Sequence, residues 1–162
     1  ELNDKIYIER LQRLQNEMGF EIELPFNNVV KSHIEMYTSP KRRNLVERIL
    51  GMWLYYEPIF EAALAKEELP LELKYLPIIE SALNPNAVSP AGAVGLWQFI
   101  LPTGRGMGLE INSLVDERRD TYKASQKAAE FLKSLYKTYN NWSLAIAAYN
   151  CGPGNVNKAM EE

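Results

Sequence analysis

Apolar residues recur at helical spacing along almost the whole chain, and no run shows the strict alternation of a half-buried strand. The first stripe is Tyr7, Leu11, Leu14 and Met18, capped by Asn3 or Asp4 and ending near Gly19. Glu21 to Pro25 is too short to anchor a sheet. A second helix is expected from Asn27 to Thr38 with Val30, Ile34 and Tyr37 inward, and Ser39-Pro40 separates it from a third carrying Leu45, Ile49, Met52 and Trp53. Pro58 should kink or restart that helix, with Ile59, Ala62 and Ala63 continuing its apolar face to a loop at Glu67 to Leu69. Further on, Ala124, Ala128, Phe131, Leu135 and Tyr139 mark a long helix from about Tyr122 to Tyr139, broken by Asn140-Asn141. An alanine-rich helix from Trp142 to Asn150 follows, Gly152-Pro153-Gly154 ends it, and Asn155 to Met160 begins one more turn. The pattern predicts an all-α fold with no internal repeat.

One stripe departs from the rest. Leu69, Leu73, Leu76, Glu80 and Leu83 fall four, three, four and three apart, so a single helical face carries four leucines and one glutamate toward the interior. Pro70 suits the first turn of this helix, and Pro77 predicts a kink one turn before Glu80. Desolvation disfavours a charged carboxylate, so the pKa of Glu80 should rise toward that of a general acid near neutral pH. The bland alternative is a glutamate that pairs with a buried Lys or Arg, or that reaches solvent at the helix end. Downstream, Asn84-Pro85-Asn86 and Ser89-Pro90-Ala91-Gly92-Ala93 form a tight loop, which returns to the apolar run Val94-Gly95-Leu96-Trp97-Gln98-Phe99. Trp97 and Phe99 offer flat faces and Gln98 an amide with both donor and acceptor, a combination suited to sugars.

Composition narrows the remaining possibilities. The 162 residues, 46% of them hydrophobic, suffice for one domain with a small N-terminal extension. A formal net charge of -3 gives no electrostatic reason to expect nucleic acid or an anionic membrane surface. Lys41-Arg42-Arg43 reads as the solvated first turn of a helix. Cys151 and His33 are each the only residue of their type, which leaves no disulfide, no thiolate metal site and little support for a thiol protease dyad. Glu57 and Pro58 interrupt the apolar stretch from Ile49 to Ala65, so it does not read as a membrane span. The abrupt start at Glu1 is what a mature or trimmed chain would show.

Glu80-Ser81, Gly95-Leu96-Trp97-Gln98 and Ala148-Tyr149-Asn150 together resemble, in order and spacing, the three signatures of lytic transglycosylases of the soluble, goose-lysozyme-like type, and within them the membrane-bound transglycosylase D branch. Two departures concern the cleft wall: the second motif more often carries Met where this chain has Trp97, and Pro102 comes one position late. The resemblance implies a lysozyme-like helical domain at 67–162, truncated at its C-terminal end, with an N-terminal helical extension at 1–66 packed on it. It implies cleavage of peptidoglycan glycan strands by a monomer without cofactor or metal, in the bacterial envelope and periplasm, any anchor lying outside this chain. By position, Glu80 is the general acid and then the base. Ser89 and Gln98 contact the substrate acetamido group or orient Glu80, Tyr149 holds Glu80 or substrate, and Asn150 supports the loop or caps its helix.

Ordinary glycoside hydrolysis needs a second carboxylate. Residues 81–109 and 131–160 contain no Asp or Glu, so a partner for Glu80 would come from Glu110 to Glu130 or from the N-terminal helices. A lysozyme-like hydrolase using Asp116, Glu117 or Asp120 therefore stays open, as does a noncatalytic glycan-binding module.

Overall fold

The computed structural model describes residues 2–161, with side chains from residue 4 onward. It is all-helical: α1 (Leu2–Glu17), α2 (Asn28–Thr38), α3 (Arg43–Lys66), α4 (Leu76–Ser81), α5 (Leu101–Gly106), α6 (Thr121–Tyr139), α7 (Trp142–Cys151) and α8 (Pro153–Glu161). β pairing among the described residues is limited to isolated bridges, Val88 with Val94, Val94 with Phe99 and Ile111 with Asp116. No described helix is long and apolar enough to cross a membrane. The chain forms two compact units, residues 1–56 and 57–162. The division thus falls within α3, ten residues before the boundary expected from the loop at Glu67.

In the first unit, α1 starts before the expected cap. Asp4 lies inside its first turn, where it pairs with Lys31 at 2.7 Å, and the side chain of Asn3 lies outside the described residues. Tyr7, Leu11 and Gln15 are half-buried while Leu14 and Met18 are exposed, so the inner stripe is rotated from the expected one. Gln15 explains the shift: its amide donates to Phe20 O at 2.6 Å and accepts from Leu24 N at 2.9 Å, holding the return segment against the helix. Asn27 caps α2 through Val30 N, and Val30, Ile34 and Tyr37 face inward as expected.

The second unit is built on Phe60, Leu64, Leu73, Leu83, Leu96, Trp97 and Leu132, all essentially inaccessible to solvent. Pro58 neither stops nor restarts α3, which continues to Lys66, and Ala62 is exposed while Phe60, Ala63 and Leu64 face the core. The expected single helix around Glu80 is instead a 3-10 turn, Leu71–Tyr75, followed by the short α4. Pro77 sits in the first turn of α4, where its missing N–H has no intrahelical partner to lose, so it starts a helix and does not bend one. Lys74 anchors the 3-10 turn to α3 by ion pairs to Glu57 and Glu61, each 2.6 Å.

Asp120 caps α6 and Asn141 caps α7, and Asn140 turns between them at φ 48°. Leu135, Ala145, Ala148 and Val156 seal α6, α7 and α8 together, and Tyr136 stacks on Trp142 at 4.2 Å between centroids. α8 begins directly at Pro153, so Gly152-Pro153-Gly154 separates the two helices by a single glycine.

Candidate active site

Glu80 is the penultimate residue of α4, which Ala82 and Leu83 end in left-handed conformations at φ 50° and 60°. This reversal turns the chain back over the helix end and lets Leu83 enter the core from outside the helix. Glu80 then faces a cleft of about 430 Å³. Burial is the main cause of a carboxyl pKa raised above its ordinary value, and a hydrogen bond from the Asn150 side chain opposes it. The expected upward shift of Glu80 is therefore present, without a basic partner.

The 19 residues from Ala82 to Ile100, between α4 and α5, form an ordered ribbon despite lacking regular structure. Ser89 O accepts from Gly92 N at 2.9 Å, Ser89 Oγ accepts from Ala93 N at 3.0 Å, and Val94 N donates to Phe99 O at 3.0 Å. Gln98 adopts φ 51°, and its amide donates to Gly95 O at 2.9 Å. Ser81, beside the carboxylate, ties helix to ribbon: its hydroxyl lies 3.0 Å from both Pro77 O and Leu96 O. Ser89, Gln98, Phe99, Tyr149 and Asn150 all line the cleft with Glu80, so the structure gathers five expected binding residues around the expected acid.

Trp97 is the correction. It is fully buried and absent from the cleft wall, donating its indole N–H to Ser125 Oγ at 2.9 Å and packing edge-on against Phe60. It therefore offers no face to a sugar, and its contribution to the cleft is its backbone carbonyl, which accepts the Tyr149 hydroxyl at 2.7 Å. Phe99 lines the cleft but is nearly buried, so it acts as part of a wall with Phe131 and Tyr149, the three rings 5.5 to 6.4 Å apart. Burial, with the nearby Glu80 charge, holds the Tyr149 phenol well above its ordinary pKa, so it stays protonated as a donor. Asn150 is not a cap, since α7 runs on to Cys151 and Gly152 caps it.

Sequence reasoning missed Thr103, Ile100, Phe131, Ala148 and Cys151 in the lining. Thr103 and Ile100 come from the first turn of α5 and its N-cap, and Pro102 is the signal for that helix start.

Glu80 is the sole carboxylate lining the cleft among the described residues. The acids considered as its partner have other occupations: Asp116 forms a bidentate pair with Arg118, Glu117 accepts from Glu110 N at 2.7 Å and pairs with Lys123, and Asp120 caps α6. Among the described residues, no group of three or more His, Cys, Asp or Glu side chains is placed to hold a metal ion.

Residues 57–162 match the model of the transglycosylase SLT domain. The membrane-bound lytic murein transglycosylase D of Escherichia coli is 43% identical over 97 residues, covering 59% of this chain and 22% of that protein. The membrane-bound lytic murein transglycosylase F of Shewanella halifaxensis is 35% identical over 90 residues, covering 51% of this chain and 18% of that protein. Among solved structures, the 70 kDa soluble lytic transglycosylase of Escherichia coli superposes with a TM-score of 0.55 at 28% identity, over 64% of this chain and 18% of that one. The chain spans about a fifth of the length of these relatives.

Proposed function

Because the chain belongs to the transglycosylase SLT domain family, we propose that it cleaves the β-1,4 bond between N-acetylmuramic acid and N-acetylglucosamine in peptidoglycan without consuming water. The observation that carries this reading is the desolvated Glu80 in a cleft that no second carboxylate lines among the described residues. Burial raises the Glu80 pKa and so favours the protonated carboxyl, the form that donates to the glycosidic oxygen as the bond to the anomeric carbon breaks. The substrate's own acetamido oxygen stabilises that carbon, a role a protein carboxylate would fill in an ordinary retaining hydrolase.

Glu80, now ionised, takes the proton of the muramic acid 6-hydroxyl, whose oxygen closes on the anomeric carbon and leaves a 1,6-anhydro end. Glu80 thereby recovers its proton. Ser89 and Gln98, which line the cleft with Glu80, are assigned to the acetamido group, and Asn150, hydrogen-bonded to the Glu80 carboxylate, to keeping it in line. Tyr149, anchored to Trp97 O, fixes the wall behind it. The chemistry asks for no metal or organic cofactor. Its substrate would place the protein in the bacterial envelope, facing the periplasm, acting as a monomer on glycan strands.

The test is mass spectrometry of fragments released from purified peptidoglycan by this chain and by Glu80→Gln. Anhydromuramyl ends from the parent, reduced by about 10²–10⁴-fold in the variant, are expected for loss of a general acid. Reducing muramic acid ends would overturn the nonhydrolytic reading.

A further inference from the structure

The ribbon that carries Ser89, Gln98 and Phe99 has a few backbone hydrogen bonds but no helix or sheet ladder of its own, and a side chain from outside it also ties its two limbs together. From the 3-10 turn Glu117–Arg119, the side chain of Arg118 is 9% exposed and reaches into this ribbon. Its Nη1 donates to Gly92 O and to Phe99 O, both at 3.2 Å. Gly92 belongs to the turn formed by Ser89, and Phe99 follows Gln98 directly, so one nitrogen bridges the limbs that present the two polar side chains. The remaining donors meet Asp116: Nε to Oδ1 at 2.9 Å and Nη2 to Oδ2 at 2.8 Å.

That bidentate pair balances the charge and fixes the plane of the guanidinium, and it holds the Asp116 carboxyl below its ordinary pKa. Backbone contact reinforces it. Gly95, at φ 87°, lies so close to the Arg118 carbonyl that a Cβ would sit 1.9 Å from its oxygen. Arg119 adds a hydrogen bond to Asn86 O at 3.2 Å.

We infer that Arg118, locked by Asp116, is a positioning residue for glycan cleavage, acting through the carbonyls of Gly92 and Phe99 to set Ser89 and Gln98 against the Glu80 cleft. This rests on the proposed activity but needs no contact between Arg118 and substrate. A lysine ammonium could not span two carbonyls and two carboxylate oxygens in one plane, so Arg118→Lys keeps the charge and removes the geometry.

The experiment compares the parent with Arg118→Lys by two readouts: turnover of solubilised glycan strands and residue-resolved amide hydrogen exchange. The amides of Val94, Gly95 and Gln98, each hydrogen-bonded within the ribbon, report its register. Expected are faster exchange at these amides with α6 and α7 unchanged, and a fall in kcat/KM on the order of 10²-fold, as misplacement by about 1 Å produces. The pH dependence assigned to Glu80 should be kept, since Arg118 is not among the groups that shift its pKa.

Unchanged exchange in the ribbon would overturn the inference. So would faster exchange spread evenly over residues 57–162 with kcat and KM of the folded fraction unchanged, because that is a stability role alone. If Arg118→Lys fails to fold, Asp116→Asn is read by the same criteria, as it loosens the guanidinium without removing it. Absence of anhydromuramyl ends from the parent would count against the proposed function instead, and the exchange readout would still decide the clasp.

Discussion

At the scale of the residue, the site turns on what surrounds one carboxyl. Glu80 has Asn150 as a neutral partner, and burial raises its pKa above that of an ordinary glutamate. The sign of the linkage follows: with the folded pKa above the unfolded one, the contribution to stability is complete below the unfolded value and is lost as pH rises through the folded one. Glu80→Gln should therefore match the parent in acid and become the more stable protein toward neutral pH, a divergence that thermal denaturation across pH 4 to 8 would reveal. Equal melting curves throughout would contradict the desolvated carboxyl. The catalytic counterpart is a kcat/KM that falls as pH rises past the Glu80 pKa. Trp97 shows how residue-level reasoning goes astray. An aromatic beside an amide suits either sugar or core, and only the contacts with Ser125 and Phe60 distinguish them.

At the scale of the element, short pieces matter more than long ones. α4 has six residues and places Glu80 only because Pro77 starts it and two left-handed residues stop it. Such pieces carry too few turns for periodicity to register, and the stripe through Leu69, Leu73 and Leu76 kept its inward sense across a 3-10 turn that it was not expected to contain. The ribbon is the clearest case of backbone geometry governing the site. Gly95→Ala would set a methyl 1.9 Å from the Arg118 carbonyl oxygen at a φ of 87° that L side chains rarely adopt. Backbone strain at such a position is of order 1–3 kcal/mol before the clash is counted. Denaturant unfolding should show at least that loss, together with loss of glycan cleavage; a variant as stable as the parent would mean that the ribbon docks less tightly than its contacts indicate.

At the scale of the whole molecule, every residue of the cleft belongs to the unit 57–162, the same span that matches the SLT domain. Its core joins the ribbon to the helices: Trp97 packs edge-on against Phe60 of α3, and α6 contributes Leu132, which has no solvent exposure. Leu132→Ala should destabilise by about 2–5 kcal/mol, the range for emptying a fully buried leucine site, as read from denaturant midpoints at constant slope. A smaller loss would imply that the core relaxes around the deletion.

What the sequence determined by itself is what depends on neighbours three or four residues away: the all-helical class, the start of α2 near Asn27, the break at Asn140-Asn141, the inward sense of Glu80 and the α6 stripe. The family signatures also lie in the sequence, because each motif is short and contiguous. Only the tertiary structure decided the rest. Whether Trp97 met glycan or core, and whether Arg118, paired with Asp116, reached the carbonyls of Gly92 and Phe99, depend on segments brought together from far apart in the chain. Local periodicity carries no information about those encounters, since burial and pairing are properties of the assembled packing.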